Sequence, residues 1–277
     1  MDLIGVNEIR VARTRDDILV GGGVEPLGGG TWLFSEPQPG LTGLVDLTAL
    51  GWPSTTRTLE HLVVAATCTI RDLTRVDPEP DWTAHRLFRL CADSLLASYK
   101  IWAVATVGGN VATALPAGAM TSLLAALDAT AVIWGPGDAE RRMLVSELVS
   151  GVRTTRLTEG EILRAFEIPL ASLRSRVAFR RISLSNLGRS ASLVIGRLAR
   201  DGAFTLTVTA ATQRPSVLRF DALPTEAELR DAIGAIDDWY DDPHGTPDWR
   251  EHVSTLFAGE ILRELSDSEL SDPEEAR

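Results

Sequence analysis

The sequence is poor in the residues that build metal and redox centres, with two cysteines, four histidines and one lysine among 277 residues. Cys68 and Cys91 form no C-x-x-C spacing, which argues against a disulfide framework, a zinc site or an iron–sulfur cluster. Both read as buried thiols acting as small apolar residues. His61, His85, His244 and His252 are scattered, with no H-x-x-x-H or H-E-x-x-H pair, so no metal ligand is expected. Lys100 follows no G-x-x-x-x-G-K-[ST] loop, and no G-x-G-x-x-G opens a helix in a βαβ unit. ATP hydrolysis and Rossmann-type NAD binding are therefore disfavoured. A G-x-S-x-G elbow is also missing; GRSAS at 188–192 imitates it but precedes a strand. No apolar run approaches the roughly 18 to 20 residues that span a bilayer. The opening MDLIGVNEIRVAR puts Asp2 and Glu8 where a signal peptide would be basic, then apolar. A soluble, cytoplasmic protein is the expectation.

What is present is ordinary globular composition, 44% hydrophobic and 23% charged, enough for one to three compact units. The net charge of −11 is unevenly placed. From Asp237 onward there are 13 acidic and 3 basic residues, which leaves 25 acids against 24 bases in the rest of the chain. That balance lacks the basic footprint of a nucleic-acid binder. The last twelve residues, SDSELSDPEEAR, read as a solvated acidic tail.

Periodicity predicts an α+β fold. Short β-like runs, EIRVA at 8–12 and LVDLT at 44–48, flank the glycine-rich GGGVEPLGGG at 21–30. Strands are expected at HLVVAAT (61–67), ATAVIW (129–134) and EILRAFEIP (161–169), with a helix at TSLLAALD (121–128). After Ser175 come three β-rich runs, 176–184, 191–199 and 203–212, with Asp201-Gly202 as a tight turn between the last two. Thr225 with Glu228 forms a capping box for one helix, turning Leu229, Ile233 and Ile236 inward. Thr246 and Pro247 start another, with Trp249, Val253, Leu256, Phe257, Ile261 and Leu265 on its apolar stripe. The expected organisation is a lobe at 1–53, a second at 54–172, a C-terminal three-stranded antiparallel sheet with helices at 173–265, and the tail at 266–277.

Two glycine-rich segments carry the functional signal. In PLGGGTWLF (26–34), Gly28, Gly29, Gly30 and Thr31 follow a short strand, and consecutive amides without β-carbons suit a pyrophosphate. In ATVGGNVATALPAGAM (105–120), Gly108, Gly109 and Asn110 follow a β-like run, and Pro116 to Gly118 precede a helix whose free N–H groups favour an anion.

Together, LGGGTWLF and ATVGGNVATALPAG resemble the two FAD-contacting segments of the flavin subunits of molybdenum hydroxylases. That family includes the medium subunit of aerobic carbon monoxide dehydrogenase and the flavin domain of xanthine dehydrogenase. GLVDLTAL, LLAALDATAVI, EILRAFEIP and PDWREHVSTLFAGEILREL match as well, so the resemblance covers nearly the whole chain. It implies a two-lobed FAD-binding fold and non-covalent FAD held by Gly28, Gly29, Gly30, Thr31, Trp32, Thr106, Val107, Gly108, Gly109, Asn110, Pro116 and Gly118, mostly through backbone amides. The family's usual Asp or Ser after Gly-Gly-Thr is here Trp32, its Ser before Pro is Leu115, and its Asp after Pro-Ala-Gly is Ala119.

The resemblance further implies an oxidoreductase subunit without a catalytic side chain of its own. Electrons would come from iron–sulfur clusters of a small partner subunit and leave to NAD or another acceptor. The molybdenum cofactor would sit in a large partner subunit. Two alternatives stay open: a stand-alone flavin reductase or oxidase of the related fold found in cell-wall precursor reductases, and a flavin-binding protein without turnover. The stretch from Arg174 to Arg200 holds seven arginines and no acid, and so could face phosphates, an acidic partner or water. Arg180, Arg181 and Arg189 are its strongest functional candidates.

Overall fold

The computed structural model describes residues 3–267. The predicted acidic tail therefore lies outside the described residues from 268 onward. Three parallel strands begin the chain: β1 (Glu8–Val11), β2 (Val24–Leu27) and β3 (Gly43–Asp46), in the order β1-β3-β2. β3 is central and buried, and Val45 joins Ala12, Leu47 and Ile162 in a small core.

The middle sheet is antiparallel. It comprises β4 (Thr55–Arg57), β5 (His61–Ala65), β6 (Thr130–Trp134), β7 (Glu140–Leu144) and, after a hairpin of β8 (Val149–Gly151) and β9 (Thr154–Thr155), β10 (Ile162–Pro169). The order β4-β5-β10-β6-β7 puts the apolar β10 at the centre. Its face is covered by the helices Arg86–Ser94, Val107–Thr113 and Ala119–Ala126, which enclose Leu87, Phe88, Val111, Leu123 and Phe166 in the largest core. β7 (ERRML) is a charged edge strand, a composition that discourages pairing with other chains.

The last sheet is an antiparallel meander of β11 (Arg176–Ser183), β12 (Ser190–Leu198), β13 (Phe204–Thr209) and β14 (Ser216–Phe220). It has a fourth strand beyond the three predicted. The helices Glu226–Gly234 and Pro247–Asp267 close it, and Thr225 and Glu228 form the expected capping box. Leu229 and Ile233 are buried, and Ile236 packs against the same core. The apolar stripe of the final helix needs one correction. Leu256 is 52% exposed, whereas Arg250 is only 1% exposed and takes a core position. Arg250 is tolerated there because it donates to Asp242 and to the carbonyls of Gly245, Ala191 and Ala210.

The last sheet also grips the middle of the chain. Ser122 and Thr209 hydroxyls meet at 2.7 Å, and the Ala210 amide donates to the Pro116 carbonyl at 2.9 Å. Arg197 donates to the Ala126 carbonyl at 3.0 Å and pairs with Asp128, which Arg219 also reaches at 2.6 Å. No helix among the described residues is long and apolar enough to cross a membrane.

Candidate cofactor cleft

The first glycine loop leaves the carboxyl end of β2, the position where parallel sheets usually offer ligands a crevice. Leu27 is the last residue held in the sheet, accepting from the Leu47 amide. From Gly28 to Leu33 the backbone then turns, with φ of +67° at Gly30 and the Phe34 amide returning to the Gly30 carbonyl at 2.9 Å. Among the described residues the six amides of Gly28 to Leu33 donate to nothing. Six successive free donors form an anion-binding concavity.

These six residues line a cleft of about 850 Å³. Thr106, Gly109 and Asn110 line it too. The two glycine segments touch: a β-carbon on Gly28 would lie 2.7 Å from the Thr106 hydroxyl. Gly28, Gly29, Gly30, Thr31, Trp32, Thr106, Gly109 and Asn110 are thus brought together.

Val107, Gly108, Pro116 and Gly118 do not line the cleft. Val107 and Gly108 are buried, their amides donating to the Cys68 and Ala66 carbonyls. Residues 107–113 form a helix capped by Thr106, whose hydroxyl accepts from the Gly109 amide at 3.0 Å. Two consecutive glycines hide that helix in the sequence; a β-carbon on Gly108 would lie 2.6 Å from that of Ala66, so close packing demands one of them. The Asn110 amide donates to the Thr106 carbonyl, and its side-chain oxygen accepts from Met120 at 2.8 Å. The second segment therefore has its amides spent from Val107 to Asn110, and the free donors come from the first. Gly118 caps the helix Ala119–Ala126, and its amide donates to Leu115. Leu115 faces the cleft, while Ala119 is wholly buried, so the family departure at Ala119 affects packing rather than the cleft wall.

Among the described residues three charged ones line the cleft: Glu25, Arg153 and Arg189. Arg153 stands at the tip of the β8–β9 hairpin in a left-handed conformation, φ 54°. Its guanidinium lies 5.2 Å from the Trp32 ring centroid and 3.9 Å from Glu36. Sequence reasoning passed over it; the short G-V-R-T turn between β8 and β9 was the available signal. The Trp32 indole N–H is buried and unpaired among the described residues. Partial desolvation pushes the Glu25 carboxyl above its ordinary range.

The basic stretch is mostly consumed by the fold. Arg174 and Arg200 pair with Asp81, Arg180 with Glu260 and Glu264, and Arg197 with Asp128. Arg176 donates to the Leu265 carbonyl. Arg181 holds the following turn by donating to Ser190 at 2.7 Å and to the Gly188 carbonyl. Of the three favoured arginines, only Arg189 lines the cleft. The arrangement of free amides, apolar lining residues such as Leu95, Leu96 and Ile101, and two cationic residues fits an anionic ligand with apolar parts.

Residues 11–171 match the family model described as the FAD binding domain in molybdopterin dehydrogenase, and the chain belongs to that family. It is thereby a flavoprotein of the oxidoreductases. Its fold is shared by a chain of quinoline 2-oxidoreductase from Pseudomonas putida 86, with TM-score 0.78, 18% identity and coverage of 97% of this chain and 99% of that one. A chain of reconstituted CO dehydrogenase from Oligotropha carboxidovorans gives TM-score 0.78 at 20% identity, covering 92% and 96%. A chain of carbon monoxide dehydrogenase from Hydrogenophaga pseudoflava, in a form lacking the Mo-pyranopterin moiety, gives 0.77 at 17%, covering 93% and 96%. No curated protein sequence matches the chain.

Proposed function

We propose that this chain is the electron-relaying FAD subunit of a molybdenum hydroxylase complex and performs no hydroxylation itself. The observation that carries the reading is the run of six unpaired amides, Gly28 to Leu33, on the wall of a cleft in a member of an FAD-binding family. The chemistry supplied by the bound cofactor is the conversion between one-electron and two-electron transfer. The chain's own part is to bind and orient. Gly28, Gly29, Gly30, Thr31 and Trp32 present donors to the diphosphate, and Arg153 and Arg189 offset its charge. Thr106, Gly109 and Asn110 form the adjoining part of the wall, and Val107, Gly108, Pro116 and Gly118, which do not line the cleft, belong to the segment that carries it. Such a relay needs no side-chain acid or base, so no catalytic residue is assigned. Among the described residues neither His nor Cys lines the cleft, which supports non-covalent attachment.

Partners follow from the cysteines. An iron–sulfur cluster normally takes four thiolates, and here two exist, both buried. Burial pushes the Cys68 thiol up to about 12 and Cys91 higher still, which opposes the deprotonated form a metal requires. An iron–sulfur small subunit and a molybdenum-containing large subunit would supply those centres, with NAD or another carrier as acceptor. Within the chain we propose boundaries near residues 53, 172 and 265. The test is purification from the native source followed by cofactor and metal analysis. FAD, iron and molybdenum should co-purify in fixed ratio, and the isolated chain should show at most NADH-to-dye activity. Hydroxylation by the isolated, metal-free chain would overturn the reading.

A further inference from the structure

Glu25 is the one acidic residue among the described residues lining the cleft. It sits on β2 three residues before Gly28, so its Cα lies within about 11 Å of the loop by chain geometry alone. Its side chain is exposed to the cleft and makes no hydrogen bond or ion pair among the described residues.

The surrounding charges leave it uncompensated. Its register partner on β3 is the buried Leu44, with Ile9 of β1 beyond. Asp46, further along β3, accepts from the amide and hydroxyl of Thr48, and Glu8 and Arg10 of β1 pair with each other. On the other cleft walls the charged groups are Arg153, which leans on Trp32 and Glu36, and Arg189. A lone carboxylate beside six anion-seeking amides works against the ligand those amides select.

Resting on the FAD reading above, we propose that Glu25 limits cofactor affinity: a diphosphate on the Gly28 to Leu33 loop drives a proton onto its carboxyl, so FAD binds with proton uptake. The sign follows from linkage. In the free protein Glu25 titrates above its ordinary 4.5 because the cleft desolvates it. A bound anion raises it further. Below the free-protein value Glu25 is neutral in both states, and affinity is highest and flat. Between the two values Kd rises by up to about tenfold per pH unit, since one proton must be acquired. Above the bound-state value it levels off at a weaker plateau.

The experiment is titration of the apo full-length chain with FAD across about pH 5 to 8.5, followed by flavin fluorescence, for wild type, Glu25→Gln and Glu25→Ala. Calorimetry in two buffers of different ionisation enthalpy counts the protons taken up. Wild-type Kd should climb with pH and show proton uptake. Both variants should give flat profiles and bind more tightly at the alkaline end by about twofold to tenfold, the scale of one charge roughly 10 Å away between the dielectric of water and that of a protein surface. No partner is lost on substitution, so melting temperatures should stay unchanged. Parallel wild-type and variant curves would overturn the role of Glu25 while leaving the FAD cleft intact. Failure of every protein to bind FAD at any pH would overturn the cleft reading, and this inference with it.

Discussion

Gly29 and Val104 are pressed together so closely that a β-carbon on Gly29 would sit on the Val104 carbonyl. With Gly28 against Thr106, this lays the first glycine loop flat on the segment leading into the second. The missing side chains let two loops of the protein meet, as well as leaving room for a ligand. Gly29→Ala should therefore strain the fold by about 2 kcal/mol, the usual scale of overpacking. Thermal denaturation of the apo protein should show the loss before FAD is added. An unchanged melting temperature would mean that the loops can separate cheaply.

The Arg153 guanidinium, on the β8–β9 hairpin, lies over the Trp32 ring at the cleft. Arg153→Ala should weaken FAD binding about tenfold, combining a lost cation with a lost aromatic contact. The wild-type advantage should shrink at high salt. Equal dissociation constants in flavin titrations would remove Arg153 from the binding wall.

The buried Arg250 donates to Asp242 and three carbonyls. Arg250→Met should cost about 3 to 5 kcal/mol, because the Asp242 carboxylate loses its partner in the interior. Urea denaturation measures this. A cost below 1 kcal/mol would mean that water or a neighbour replaces the guanidinium.

Glu161 accepts from Arg141 at 2.6 and 2.7 Å and from the Thr158 amide at 2.7 Å. The Arg141 hydrogen bonds, foremost, hold its carboxyl at about 2, below the ordinary 4.5. A carboxyl depressed on folding contributes stability that is complete above the unfolded value and is lost as pH falls towards the folded one. Between about pH 4.5 and 2 the wild type should lose roughly 2 to 3 kcal/mol that Glu161→Gln has already lost. Denaturation midpoints across that window should converge at the acid end; a constant gap would exclude the linkage.

Elements with a strong period were legible in the sequence. β10, β12 and the helix Glu226–Gly234 lie where alternation and the Thr225 capping box put them. β14 was missed because it is a half-exposed edge strand, SVLRF, without clean alternation. The helix at 107–113 was hidden by Gly108 and Gly109, poor helix formers that tertiary packing demands. The first cleft loop was readable from Gly28 to Thr31 only alongside the second glycine segment, since a glycine run after a strand is by itself most often a plain turn. Arg153 was not, because its place over Trp32 depends on a hairpin contact more than a hundred residues away in sequence. Arg250 gave no signal in the apolar stripe of its helix, and the carbonyls waiting in the interior explain its burial.

The grip of the last sheet on the helix Ala119–Ala126 limits how portable the proposed flavin site can be. The family match stops at residue 171, yet Thr209, Ala210, Arg197 and Arg219 hold that helix and its flanks from beyond the boundary. The turn entering the helix supplies Leu115 and Ala117 to the cleft wall. A graft of 11–171 into another scaffold would strand the Asp128 carboxylate and the Ser122 hydroxyl at a raw surface and loosen that wall. Recombination, natural or engineered, would have to carry the C-terminal meander along with the motif-bearing part for the cofactor pocket to survive the move.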